Sequence, residues 1–362
     1  MGFFRENILK FIIIFVIVIV MTILFTFLFT GGKKPKTYSD MEANMKTAAI
    51  KYANSNTAML PKDDTRVLKI NLDTLINNKY LKEYTALENK DTICTGYVNV
   101  LKKDDSYSYK PYLKCGNYYE TKTISRYILE NEQIVTTETG LYKYGDTYVY
   151  RGENPNNYIM LSDKLFRIIE ITKDNQLKII ANDKTVEEFI WDDRYNSEKE
   201  YNYGINDYSK SRLKDSLASF YKSEYFTNSD REKIVKHDFC VGKRSISDGS
   251  MDGSSECSIL EKDQYVGLLQ VNEYARASIS NKCTSALNLE CQNYNYLEGE
   301  GKNIRTLNGV KDNTYQIYYL SYGSLSTTYA SNSFSIYPVV YLGEDTIYQS
   351  GNGTSTKPYI VR

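Results

Sequence analysis

The longest apolar run in the chain, FIIIFVIVIVMTILFTFLF from Phe11 to Phe29, is nineteen residues without a charge. At 1.5 Å per residue such a helix is roughly 28 Å long, about the depth of a bilayer's hydrocarbon core. The pattern predicts a single-pass transmembrane helix, with residues 1–37 as anchor and flanks. A cleaved signal peptide is the rival reading, but its apolar region is usually roughly 7–15 residues and ends in a small-residue site. Arg5 and Lys10 lie on one side of the run and Lys33, Lys34 and Lys36 on the other, so the excess of positive charge does not orient it by itself. After GGKKPK, Ser39 and Glu42 form an S-x-x-E capping box, and Met41, Met45, Ala48 and Tyr52 fall at helical spacing. The pattern predicts an amphipathic helix to about Asn54, followed by a shorter one around Asp73–Tyr80.

Further on the period changes from helical to alternating. ICTGYVNVL and YSYKPYLKC flank the polar run KKDDS, and a hairpin centred between Asp104 and Asp105 sets Cys94 opposite Cys115 and Tyr97 opposite Tyr112. Residues 122–143 read as a connector, and the strand-forming pieces ISRYILE, EQIVTTE and YVY fall in 122–149. NYIML, KLFRIIEI and QLKIIAND predict an antiparallel meander. A helix capped by Asp207 or Ser209 presents Leu213, Leu217, Phe220 and Tyr221, and Ser229 with Glu232 suggest a short second one. YVGLLQV reads as a strand and NEYARAS as a helical turn. YQIYYLSYG, FSIYPVVYLG and PYIVR complete a mixed α+β domain over 144–362.

Composition narrows the chemistry. The 362 residues carry 45 Lys+Arg and 45 Asp+Glu, and a chain of zero net charge is a poor binder of polyanions, so nucleic acid is excluded as a partner. Thirty-five tyrosines stand against one tryptophan and one histidine, an excess that fits AT-rich codon usage. With His237 alone, a multi-histidine metal site cannot form and any triad would have to use it. The six cysteines, Cys94, Cys115, Cys240, Cys257, Cys283 and Cys291, all follow the apolar run, and their even number suits disulfides in an oxidising compartment. This places the body of the chain outside the cell and the N-terminus in the cytoplasm: a cell-membrane protein with extracellular domains.

Two resemblances follow from these segments. The hydrophobic helix, the amphipathic helix, NLDTLINNKYLKEY and ICTGYVNV…YKPYLKCGNYYET together resemble the type IV pilin-like and type II secretion pseudopilin-like proteins of Gram-positive bacteria. Gly2 and Phe3 are followed by Glu6, one position earlier than in the family's processing site. This resemblance implies a transmembrane helix continuing into a pilin-like helix, with a small antiparallel sheet, over 38–121. RGENPNNYIMLSDKLFRIIEI, WDD…YGINDYSKSRL, YVGLLQVNEYA, IYPVVYLG and SGNGTSTKPYIV resemble an uncharacterised C-terminal domain of Firmicutes and Mollicutes surface proteins. That group is distantly similar to the C-type-lectin-like and formylglycine-generating-enzyme fold. Short-range cysteine pairs are common there, and of the three pairings open to four cysteines, Cys240–Cys257 with Cys283–Cys291 avoids closing long loops.

The candidate chemistry is sparse. Trp191, Asp192 and Asp193 join an aromatic platform to paired carboxylates, a combination used in carbohydrate sites, and are the expected ligand-binding residues. Asp248, Ser250 and Asp252 alternate as in a calcium loop, but the twelfth position is Ile259, so a solvated loop is the expectation. Glu-Asn-Pro-Asn at 153–156 departs from the sugar-binding Glu-Pro-Asn of calcium-dependent lectins by an inserted Asn and reads as a turn. His237 and Asp238 stand near Cys240, which cannot act as a nucleophile within a disulfide. No catalytic constellation, cofactor or metal site is expected, and the chain is not read as an enzyme. The expected function is a membrane-anchored surface protein whose C-terminal domain binds a glycan or protein ligand. The alternative is a minor pilin or pseudopilin-like subunit with pilin-like partners.

Overall fold

The computed structural model describes residues 35–63, 66–103, 106–298 and 303–362. The chain divides into two compact units: residues up to 102 with 109–120, and 103–108 with 121–362. In the first, helix α1 (Tyr38–Ser55) is followed by strand β1 (Val67–Asn71), helix α2 (Leu72–Asn77) and strands β2 (Thr95–Lys103), β3 (Ser106–Cys115) and β4 (Tyr119–Glu120), with sheet order β1-β2-β3-β4. Met41, Met45, Ala48 and Ala53 fall on one face of α1 and are buried in one core with Ile70, Val98, Val100 and Leu113. The hairpin expectation holds: Cys94 and Cys115 are bonded, and the Tyr97 and Tyr112 rings stack with centroids 5.0 Å apart.

The second unit opens with α3 (Ile124–Asn131), then β5 (Gly140–Tyr144), β6 (Thr147–Arg151), β7 (Tyr158–Leu161), β8 (Lys164–Ile171), β9 (Leu177–Ala181) and β10 (Glu188–Ile190). Helices α4 (Arg212–Tyr221) and α5 (Asn228–Arg231) precede β11 (Ile234–Val235), β12 (His237–Cys240), β13 (Leu260–Gln264) and β14 (Val266–Gly267). Helix α6 (Val271–Ala277) leads to β15 (Asn303–Gly309), β16 (Gln316–Ser321), β17 (Ser324–Tyr329), β18 (Ser333–Ser335), β19 (Val339–Leu342), β20 (Tyr348–Ser350) and β21 (Ile360–Val361). The main sheet runs β11-β19-β9-β8-β6-β5, with β7 added to β8 and β14 to β19; β15-β16-β17 form a separate sheet. The predicted meander is present. Ser162 and Asp163 both adopt the left-handed conformation (φ +53° and +57°), the two-residue turn that matches strand twist between β7 and β8.

All five residues of β9 are buried, so the sheet is covered on both faces. Leu177 and Ile179 belong to the apolar core, whereas Lys178 reaches the carboxylate of Glu273 on α6. Burial works against the Lys178 charge, yet Glu273 holds the ammonium above its usual range. Arg244 and Glu256, both with fully buried side chains, form a second internal pair at 2.8 Å. Breaking such a pair from one side costs roughly 3–5 kcal/mol, because a charge is left without its partner.

Several expectations are corrected. The fold is mostly sheet, 36% strand against 20% helix in many small antiparallel sheets, rather than an α+β chain led by a transmembrane helix continuing into a pilin-like one. Helix α1 starts afresh: Thr37 is extended (φ −133°, ψ 160°) and forms a capping box with Asp40, so the cap lies two residues before the expected Ser39. No helix among the described residues is long and apolar enough to cross a membrane, and the Phe11–Phe29 span lies outside them. The single-pass cell-membrane location is corrected with it; the three disulfides remain consistent with an extracellular protein. Within the expected connector 122–143, ISRYILE is a helix capped by Thr123, which buries Ile124, Ser125 and Ile128 at spacings of 1, 3 and 4. Ser211, not Asp207 or Ser209, caps α4, and Thr227 rather than Ser229 caps α5.

Candidate ligand-binding site

Trp191, Asp192 and Asp193 follow β10 and are consumed by the fold. Trp191 is fully buried, edge-on to Tyr208 with centroids 5.8 Å apart. A ring without exposed area offers no face to a sugar. Asp192 is also fully buried; its Oδ2 accepts from Arg194 Nη2 at 2.6 Å and its Oδ1 from the Ile205 N–H at 3.2 Å. That hydrogen bond to Asp192 holds the Arg194 guanidinium above its usual pKa. Asp193 pairs with Arg212 at 3.0 Å. Gly204 (φ +79°) closes the same loop, where a Cβ would stand 1.9 Å from the Asp192 carbonyl oxygen. The motif expected to bind is therefore the foundation of loop 191–206. That loop presents Tyr201 and Tyr203; Tyr203 stacks on Tyr329 with centroids 4.2 Å apart, whereas Tyr201 stays mostly exposed.

The other sequence candidates are also internally satisfied. Asp248 Oδ1 accepts from the Ser250 N–H at 2.9 Å, and Asp252 Oδ1 from the Ser254 N–H at 2.9 Å. Against the cost of burial, hydrogen bonds from Ser255 and Ser250 hold Asp248 down at about 2. Among the described residues no group of His, Cys, Asp or Glu is arranged to hold a metal ion. His237 is on β12, stacked on Tyr341 at 3.7 Å with Nδ1 3.1 Å from Gln176 Oε1. Burial, followed by the nearby Lys178 charge, lowers its pKa. Cys240 is bonded to Cys257.

A pocket of about 690 Å³ opens beside the loop closed by the Cys283–Cys291 disulfide, lined among others by Glu153, Lys282, Glu290, Gln292, Tyr294 and Glu298. Its wall is fixed from the backbone. Buried Asn295 donates from Nδ2 to the carbonyls of Tyr274 and Cys291, both at 2.8 Å, and accepts the Leu297 N–H at 3.0 Å. Ser278 Oγ donates to the Asn293 carbonyl at 2.6 Å, and the Ile279 N–H to that of Tyr294 at 3.3 Å. Between these clamps Tyr294 is 60% exposed at φ +51°, a region that bulky residues seldom occupy. The hairpin turn between β16 and β17 closes on the same wall: a Cβ on Gly323 (φ +78°) would stand 2.6 Å from Glu298 Cγ and 3.0 Å from Gln292 Cβ.

Carboxylates and amides each offer planar pairs of hydrogen-bonding atoms, and an exposed tyrosine offers an apolar face with a polar tip. Such a lining suits a polyhydroxylated ligand. Sequence reasoning placed Glu153 in a turn and missed Glu290, Tyr294 and Glu298; the short Cys283–Cys291 bracket within a polar, Asn-rich stretch was the available signal. No protein family, curated protein or solved structure matches this chain.

Proposed function

We propose that the second unit is an extracellular binding module whose pocket at Tyr294 takes a neutral or amine-bearing glycan. The observation that carries this reading is a single concavity combining an exposed aromatic ring, held at a costly backbone angle, with three carboxylates. Glu153, Glu290 and Glu298 stand against Lys282 alone in the lining, a balance that repels carboxylated or phosphorylated sugars. The volume is within the range of small-ligand sites, about 300–1,000 Å³. Two of the elements that form the wall are pinned by a disulfide and by Asn295, so little order has to be imposed on binding.

The test is binding of the oxidised full-length protein to a panel of neutral, amine-bearing and carboxylated glycans. Saturable binding to one of the first two classes is expected, weakened at least tenfold by Tyr294→Ala and by Glu298→Gln. Binding confined to the carboxylated class, or unchanged in both variants, would overturn the reading, as would absence of saturable binding across the panel.

A further inference from the structure

A second concavity of about 770 Å³ opens where the β7–β8 turn, residues 183–187 and the end of α4 meet. Its character is opposite to that of the glycan pocket. Met160, Leu165, Phe220 and Tyr225 form the walls. Val186, on the loop beside them, is 102% exposed, so the fold gains nothing from its apolar side chain. Asp163, Asp183, Glu187 and Glu224 ring this apolar floor, and among the described residues no lysine or arginine closes an ion pair on any of them.

Two lysines also line the cleft, but one of them is already committed. The Lys164 ammonium donates to the carbonyls of Ser162 and Tyr225, at 3.2 and 3.1 Å, and lies 4.7 Å from the centre of the Tyr225 ring. Only Lys184 is left to offset four carboxylates. In a chain of zero net charge this local excess is a property of the cleft, not of the whole surface. Burial, followed by the Asp183 charge, pushes the Tyr225 phenol up to about 12, which keeps it neutral and leaves the floor uncharged.

From this apolar floor within an acidic rim, we infer that the cleft docks a peptide segment in which a large apolar side chain is flanked by lysines or arginines. The apolar side chain fills the space between Leu165, Phe220 and Val186, and the flanking cations reach the rim carboxylates. Rim charges speed encounter and select the partner, while the apolar anchor supplies most of the affinity.

The experiment uses the oxidised full-length protein and two labelled probes, acetyl-Lys-Leu-Phe-Lys-amide and acetyl-Glu-Leu-Phe-Glu-amide, read by fluorescence anisotropy. The basic probe is expected to bind at least tenfold tighter than the acidic one, and its affinity to fall as salt is raised. The double variant Asp183→Lys, Glu224→Lys is expected to weaken the basic probe at least tenfold. Val186→Ser, at a position that cannot disturb packing, is expected to weaken it about threefold by removing one exposed apolar contact. Equal binding of both probes, unchanged binding by the double variant, or no binding of the basic probe at millimolar concentration would overturn the proposal.

Discussion

Two loops of the second unit hold the same ingredients, an aromatic ring beside carboxylates, and use them in opposite ways. At 191–193 the ring is buried, and both acids are paired with arginines. Around Tyr294 the ring is mostly exposed, and Glu290 and Glu298 face a pocket. The difference lies in what surrounds each loop. Trp191 follows directly on β10, beside α4, in the main core, where apolar area leaves water. Tyr294 is held at its backbone by the neighbouring Asn295 and Ser278 clamps, and most of its ring stays exposed. Composition alone does not tell a foundation from a site; the partner of each polar atom does.

The largest effect that would break this comparison is at Trp191. Trp191→Ala should destabilise the second unit by roughly 3–5 kcal/mol, through lost burial and a residual cavity, as read by urea denaturation under oxidising conditions. The indole N–H has no partner among the described residues, so Trp191→Phe should cost clearly less. A stable Trp191→Ala protein that fails only in glycan binding would reverse the assignments of the two loops.

Disulfides sharpen the contrast next. Removing Cys240–Cys257 by paired serine substitution should cost about 3 kcal/mol, and removing the shorter Cys283–Cys291 bridge about 2.5 kcal/mol, on unfolded-state loop entropy. Glycan binding should move the other way, surviving the first change and falling with the second, because only Cys283–Cys291 braces the pocket wall. Equal losses of binding from the two changes would argue against that wall being the site.

A third test separates buried from open carboxylates by pH. Burial raises the Glu132 carboxyl above its usual range, although Tyr359 and Tyr150 both donate to it. A carboxyl with a folded pKa above its unfolded value of about 4.3 adds stability below that value and loses it as pH rises through the folded pKa. The wild-type protein should therefore lose stability relative to Glu132→Gln as pH is raised from about 4 to 7. Parallel stability curves for the two proteins would show that Glu132 is not desolvated.

The smallest expected effect is at the site itself. Tyr294→Gly relieves a left-handed tyrosine and should stabilise by up to about 1 kcal/mol while abolishing glycan binding. A loss of stability would mean that the ring packs in the fold.

Legibility in the sequence followed the range of the interactions. The Cys94–Cys115 hairpin was readable because register, parity and a short turn act within about twenty residues. The meander of β7, β8 and β9 was readable for the same reason. ISRYILE was misread because its β-branched content favours a strand, whereas burial of Ile124 and Ile128 against the second unit's core selects a helix. Trp191, Asp192 and Asp193 read as a binding motif because the sequence shows Asp192 next to Trp191 and does not show Arg194 closing on it.

Local and covalent features follow from composition and short stretches of chain: neutral charge, the scarcity of histidine, cysteine pairs that close short loops, and hairpin strands paired with their neighbours in sequence. Tertiary structure decided which polar groups were spent and which were left over. Glu153, Lys282, Tyr294 and Glu298 meet in one pocket only after α6, the Cys283–Cys291 loop and the β16–β17 turn have packed together. A binding surface is the remainder after a fold satisfies its buried polar atoms, and that remainder depends on contacts between distant segments.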